Sequence, residues 1–307
     1  MKVFFKKLFY GKGLPWRAVR FGVLFAVGLG LSFMWFEKKF IYFPVRYPEG
    51  LWNPPEPIAA EGQVAAHVED CWLTTSDGLK LHGWFCTPRR KTSKAWQPVP
   101  AEITLLWFHG NGGNLSHRYE MIQTLIPIPV NALILDYRGY GRSEGRPGER
   151  GLYEDARTAW NFLTRERNIA PDRIVLLGNS LGGAIAIHLA TEVKPAGLIV
   201  QSSFTSIPEM ASEVMPFVPR FLIRTRMNSI DRVPSILCPK LFIHSPADDV
   251  VPYTLGRRLF EAAAEPKQFF KVENARHNET FLVGGKEYFR TIQRFVLACR
   301  PTQQPSS

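Results

Sequence analysis

The chain has 307 residues, 45% of them hydrophobic and 21% charged. That composition excludes a disordered tail protein and a polytopic membrane protein, and leaves room for one large α/β domain or two small ones. The net charge of +11 is concentrated: residues 1–50 hold nine Lys or Arg against Glu37 and Glu49, whereas the rest carries 29 bases against 25 acids. Basicity confined to one end argues for a membrane partner and against nucleic acid.

Residues 1–20 form a basic segment. Phe21 to Phe36 then gives sixteen uncharged residues, and residues 21–43 are expected to form a transmembrane anchor with its juxtamembrane stretch. As a helix the uncharged run spans ~24 Å against a hydrocarbon core of ~30 Å. Arg17, Arg20, Lys38 and Lys39 can snorkel outward, and Trp16, Trp35 and Tyr42 suit the interfaces. Bulky residues follow where a cleaved signal peptide needs small ones. More bases precede the run than follow it. The expected topology is single-pass, with a cytoplasmic N-terminus and the remaining domain on the periplasmic or lumenal side. Residues 44–62 contain five prolines and read as an extended linker. Residues 301–307 read as a flexible tail.

Residues 63–300 form the expected folded domain. It opens with two strand-like runs, AHVEDCWLTT and LKLHGWFCTP, around the turn signal Asp77–Gly78. Strand-like runs follow at 103–109, 132–136, 174–179, 197–201, 240–245 and 268–272. Helix-like stretches lie near 115–126, 149–166, 181–192, 253–264 and 285–299. Runs such as LLWFHG and IVLLG lack alternation, as strands covered on both faces do. A hairpin followed by βα units predicts a mostly parallel sheet with helices on both faces, and ligands at the carboxyl ends of its strands.

At one such end stands Gly178-Asn179-Ser180-Leu181-Gly182, followed by helical GAIAIHLATEV. A serine hydroxyl becomes a useful nucleophile when it is exposed and paired with a base. A tight strand-to-helix turn gives that exposure and requires small residues two positions to either side. The Leu181 N–H at the helix start can stabilise an oxyanion. The chemistry then needs an acid and a histidine downstream, in that chain order. Of three later histidines, His188 is mid-helix and His244 is inside a strand, whereas His277 follows the last strand in a loop. In HSPADDVVP, Asp248 is the favoured acid, and Asp249 can face solvent or cap the next helix. His109-Gly110-Asn111-Gly112-Gly113 offers glycines that turn N–H groups inward, with Asn111 N–H the preferred second oxyanion donor. It is no P-loop, because no Lys-Ser/Thr follows. No spacing suggests a metal or any other cofactor. Asp136 precedes Ser180 and reads as structural, fixing loop backbone and Arg138.

Taken together, FHGNGGN, DYRGYGRSEGRPGERGLYEDA, GNSLGG, SIPEMAS, SPADDVVP and RHNET resemble the α/β-hydrolases. More narrowly, they resemble the membrane-anchored, bud-emergence-related and abhydrolase-domain-13-like serine hydrolases, over residues 38–299. The resemblance implies an α/β-hydrolase fold and a triad of Ser180, Asp248 and His277. One departure is the serine of HSPADD, where glycine is common. Lids in this fold are usually inserted where residues 205–237 lie. Met210, Met215, Phe217 and Phe221 there suit an acyl chain. The expected activity is hydrolysis of carboxylic esters or thioesters of long-chain or lipid-linked acyl groups through an acyl-enzyme. A serine peptidase of the prolyl-oligopeptidase-like type and a non-catalytic membrane scaffold are the alternatives. Two N-x-S/T triplets, at Asn114 and Asn278, read as chance. The four cysteines read as free thiols, with a pairing of Cys71 and Cys86, on opposite arms of the hairpin, left open as the alternative.

Overall fold

The computed structural model describes residues 14–53, 62–125 and 128–301. The first part of the basic segment, residues 54–61 of the linker and all but Pro301 of the tail lie outside the described residues.

The sequence runs become the strands Phe43–Pro44 (β1), Val64–Thr74 (β2), Lys80–Lys91 (β3), Trp96–Pro98 (β4), Ile103–Phe108 (β5), Gly112–Gly113 (β6), Val130–Leu135 (β7), Ile174–Asn179 (β8), Gly197–Gln201 (β9), Lys240–His244 (β10) and Lys267–Lys271 (β11). The main sheet has the order β11-β10-β9-β8-β5-β7-β3-β2, with β4 on the edge of β3. From β11 to β7 all pairings are parallel, and β3 and β2 add antiparallel. All six residues of β5 are buried. Leu106 and Phe108 enter one apolar cluster, while Ile103, Leu105 and Trp107 enter the other. That two-residue period is what sends successive side chains to opposite faces, each covered by helices.

After β5 the chain places β7 on one side and β8 on the other. The reversal opens a crevice beyond the carboxyl ends of β5 and β8, where ligands of open parallel sheets bind. His109 to Asn111 follow β5 and Ser180 follows β8, so both reach this crevice from the shortest possible leads.

Two expectations are corrected. The apolar N-terminal run lies in a 28-residue helix, Leu14–Ile41, but among the described residues no helix is long and apolar enough to cross a membrane. The side chains of residues 26, 27 and 29–36, most of the apolar run, lie outside the described residues. Residue 43, expected in the juxtamembrane stretch, and residues 44–53, expected within an extended linker, lie against the domain. β1 pairs with β6, the Tyr47 N–H donates to Gly141 O at 3.0 Å, and Trp52 is buried. Four thiols are free, and the register sets Cys86 opposite Val68 and Cys71 opposite Gly83, so the two do not face each other.

The end of the N-terminal helix is fastened to the lid. Glu37 is buried, and its carboxylate accepts from Arg224 N–H (2.8 Å), Thr225 N–H (2.9 Å) and the Thr225 hydroxyl (2.8 Å). Glu149 accepts in the same way from Arg226 N–H (2.7 Å) and Met227 N–H (2.8 Å). Two carboxylates thus hold four consecutive backbone N–H groups of the lid base. Glu37→Ala is expected to open this segment, since hydrogen bonds to a charged acceptor are worth ~1.5–3 kcal/mol each. Tryptic cleavage after Arg224 and Arg226 should quicken by about ten-fold or more. An unchanged cleavage rate would show that the latch does not hold the lid.

Candidate active site

Ser180 sits between β8 and the helix Leu181–Ala190 with φ 52° and ψ −116°, a left-handed backbone that is costly for a residue with a Cβ. Its neighbours explain how it is held. A Cβ at Gly178 would overlap the backbone of Gly182, and a Cβ at Gly182 would overlap the Phe108 carbonyl of β5. Only glycines let the helix start this close to the adjacent strand. Ser180 N–H donates to Gln201 O (2.8 Å), and the Ser203 hydroxyl donates to Ser180 O (2.9 Å). Leu181 opens the helix, where the first N–H groups have no carbonyl one turn back to bond.

His277 follows β11 in a loop fixed from two sides. Its Nδ1 lies 2.9 Å from both carboxylate oxygens of Asp248, and its backbone N–H donates to Asp249 at 3.0 Å. Asp249 also accepts from the Arg276 guanidinium (2.7 and 2.9 Å). Asp249 faces solvent, as one of the two expected alternatives had it, and also shapes the histidine loop. The Asp248 side chain is fully buried and accepts from Val250 N–H (3.0 Å) and Val251 N–H (2.8 Å). His244 Nε2, which also lies 3.1 Å from Val251 O, approaches the same carboxylate at 3.3 Å. Burial alone would push the Asp248 carboxyl up. Hydrogen bonds from His244 and His277 overcome it and hold the group well below the usual carboxylate range. With Nδ1–H donating to Asp248, Nε2 of His277 is left as an acceptor.

Ser180, Leu181, His277 and Asn111 line one cavity of about 800 Å³, together with Met210 and Met215 from the lid. Phe217 and Phe221, expected in the acyl site, do not line it. They project from the outer side of the lid and are exposed. The inner wall is supplied instead by Ile207, Ala211, Val214 and Ile223, and by Phe40, Ile41 and Phe43 from the N-terminal segment. The Asn111 side-chain oxygen accepts from Phe43 N–H (3.3 Å) and the Tyr140 hydroxyl (3.1 Å), so β1 braces the loop after β5. A Cβ on Gly110 would rest 3.7 Å from Ser180 Cβ, which places the backbone of that loop directly beside the serine.

Asp136 does fix loop backbone, accepting from Leu115 N–H at 2.8 Å. It does not pair with Arg138, which is held by Asp77 and Asp155. His188 stacks on Tyr153 with ring centroids 3.6 Å apart, away from the cavity. Asn114 is fully buried, and its amide donates to Val45 O and Glu49 O, leaving no room for a glycan in the folded chain.

Three supports were given no role by the sequence. The Gln201 amide donates to the Thr280 hydroxyl (2.6 Å) and its carbonyl accepts from the Tyr288 hydroxyl (2.6 Å), tying β9 to the last helix beside His277. The Ser245 hydroxyl accepts from Ala247 N–H (3.1 Å) and Ala275 N–H (3.2 Å), joining the aspartate and histidine loops. That gives a task to the serine that replaces the common glycine. His244 beneath Asp248 is the third.

Curated relatives cover nearly the whole chain. An uncharacterised Mycobacterium tuberculosis protein is 36% identical over 87% of this chain and 89% of its own length. The α/β-hydrolase domain-containing protein WAV2 of Arabidopsis thaliana is 32% identical over 99% and 98%. Protein bem46 of Schizosaccharomyces pombe is 30% identical over 87% and 88%. The chain belongs to the α/β-hydrolase family that includes bem46 and WAV2. A family model described as serine aminopeptidase, S33, matches residues 100–231 of this bem46-like hydrolase. That match includes Ser180 and stops before Asp248 and His277. Among solved structures, an esterase of Pyrococcus furiosus aligns with TM-score 0.66 at 19% identity, over 85% of this chain and 99% of its own. An acetyl xylan esterase of Paenibacillus sp. R4 aligns with TM-score 0.60 at 18% identity, over 78% and 89%. These two likenesses concern the fold.

Two groups near the site make stability depend on pH in the same direction. Asp248 is ionised in the fold below its ordinary value of 3.8, so its contribution is complete above that value and lost as pH falls beneath it. Burial pushes His109 down to about 3 from 6.5. It stays neutral in the fold while the unfolded chain takes up a proton, which costs stability as pH falls from 6.5 towards 3. Urea unfolding at stepped pH should therefore show stability declining from about pH 6.5 downward, with His109→Gln flattening the upper part and Asp248→Asn the part below 4. A profile as steep in both variants as in the parent chain would contradict these assignments.

Proposed function

We propose that this bem46-like hydrolase is a serine hydrolase that cleaves carboxylic esters or thioesters of long acyl chains at a membrane surface, with Ser180, His277 and Asp248 as its triad. What supports the reading is that a backbone-strained serine and a histidine whose Nδ1 is fixed by a buried carboxylate line one largely apolar cavity.

In the proposed reaction, Nε2 of His277 takes the Ser180 hydroxyl proton as Oγ attacks the carbonyl carbon. The Asp248 carboxylate stabilises the imidazolium that forms. Negative charge develops on the carbonyl oxygen, where the N–H of Leu181 and that of Asn111 are the proposed donors. Collapse of the tetrahedral intermediate breaks the C–O or C–S bond, and His277 returns the proton to the departing alcohol or thiol. Water, deprotonated by His277, then cleaves the acyl-enzyme. Met210 and Met215 suit the acyl chain, since thioethers adapt to irregular apolar shapes. No step calls for a metal or an organic cofactor.

The family model's description favours one second reading, a serine aminopeptidase. Such an enzyme needs an unengaged carboxylate to receive the substrate's ammonium group. Of the acids that line the cavity, Glu37 is committed to residues 224–225 and Asp249 to Arg276, which leaves Glu120 as the carboxylate that would have to serve. The apolar wall supports the ester reading.

Ser180→Ala should abolish labelling by a fluorophosphonate probe and lower ester turnover by about 10³-fold or more, with circular dichroism unchanged. Persistent labelling refutes the nucleophile. Across esters and thioesters from C2 to C16, kcat/KM is expected to rise with chain length. A strict preference for the shortest acyl groups, or faster cleavage of aminoacyl arylamides, would sink the acyl-chain reading.

A further inference from the structure

The lid has two apolar faces, and only the inner one is used by the cavity. Met210 and Met215 line the interior, whereas Phe217 and Phe221 stand on the outside with 80% and 78% of their surface exposed. Val214, also exposed, lies on the border and contributes to both faces. Adjacent large side chains this exposed mark an interaction surface more often than a solvated one. The surroundings say what kind. The turn Arg220–Leu222, which carries Phe221, packs against the N-terminal helix. That helix exposes Phe21, Leu24, Phe25 and, at its cavity end, Phe40. Residues 214–226 include Arg220, Arg224 and Arg226 and no acid, and Lys38 and Lys39 flank the helix end. Exposed apolar side chains accompanied by bases fit the apolar interior and anionic headgroups of a bilayer. The cavity opens at Phe40, Phe43 and Val214, which are at once exposed and cavity-lining.

We propose that Val214, Phe217 and Phe221 form a membrane-docking face that seats the cavity mouth on an anionic bilayer, so that an acyl chain passes from lipid between the lid and the N-terminal helix into the cavity. The docking stands on the surface itself, while the passage of an acyl chain rests on the hydrolase reading above. The inference asks for no spanning helix: the face lies in the plane of the interface, with Arg220 and Arg224 at headgroup level.

The test is made on the full chain in vesicles of phosphatidylcholine with about one-third phosphatidylserine. An environment-sensitive fluorophore is attached at Phe221→Cys, or at Ser93→Cys as control. Ser93 lies between β3 and β4, at the amino-terminal ends of the parallel strands and therefore opposite the cavity. Burial raises the native thiols, to about 12 at Cys71 and Cys299, to about 11 at Cys238 and higher still at Cys86, so the introduced cysteine is the one that labels at neutral pH.

Nitroxide lipids should quench the label at 221 several-fold more than the label at 93. Equal quenching at the two positions overturns the proposal. So does energy transfer between labels at 221 in lipid-free detergent, because the face would then be covered by a second copy of the chain. In a second measurement, Phe217→Ser combined with Phe221→Ser should lower the ratio of long-chain ester cleavage in vesicles to dissolved short-chain ester cleavage by about ten-fold. An unchanged ratio counts against entry from the bilayer. A parent chain that cleaves neither ester refutes the hydrolase reading, and the quenching comparison then decides docking by itself.

Discussion

The start of a helix resting on the carbonyl of a neighbouring strand is the contact around which this protein is arranged. Gly182 meets Phe108 O with no space for a side chain, and Gly178 meets the next turn of the same helix. That closeness forces Ser180 into a left-handed conformation and raises its hydroxyl above the sheet. It also brings the loop after β5 beside the serine, so one packing constraint sets both the position of the nucleophile candidate and that of the backbone facing it. The strain is sustained by rigid surroundings: β5 and β8 are central and paired on both sides, and Gln201 O anchors the Ser180 N–H.

A second layer holds the other half of the site. Asp248, itself held by two backbone N–H groups and two histidines, fixes the His277 ring, while Asp249 and Ser245 fix the backbone that carries it. Neighbouring aspartates divide the work, one holding the ring and one the loop. The Gln201 link to Thr280 and Tyr288 joins this half to the strand next to the serine. Relative placement of the two halves thus rests on hydrogen bonds between buried groups, which are costly to break and leave few alternatives.

Much of this was legible in the chain because it is local. Short uninterrupted apolar runs marked β5 and β7 to β10, and Gly-x-Ser-x-Gly between a strand and a helix needs no distant partner to be recognised. Asp77–Gly78 likewise closes the β2–β3 hairpin with Gly78 at φ 83°. What escaped is non-local. The pairing of β1 with β6 joins residues about seventy positions apart, and nothing in Phe43–Pro44 announces a strand. Composition placed Phe217 and Phe221 in the lid, yet an irregular segment has no period from which to read which side faces inward. The same limit applies to Gln201 and Ser245, whose partners lie in other loops. The expected membrane span is not found among the described residues, where no helix is long and apolar enough to cross a membrane.

The latch at Glu37 binds leader and lid into one mechanical unit, and this limits how the protein can be processed. A protease that severed the leader at the obvious place, just before Phe43, would remove the carboxylate on which Arg224 and Thr225 hang while leaving every triad candidate intact. The released domain would keep its chemistry but lose part of the roof over it. A shortened form that retains its cover must therefore keep residue 37.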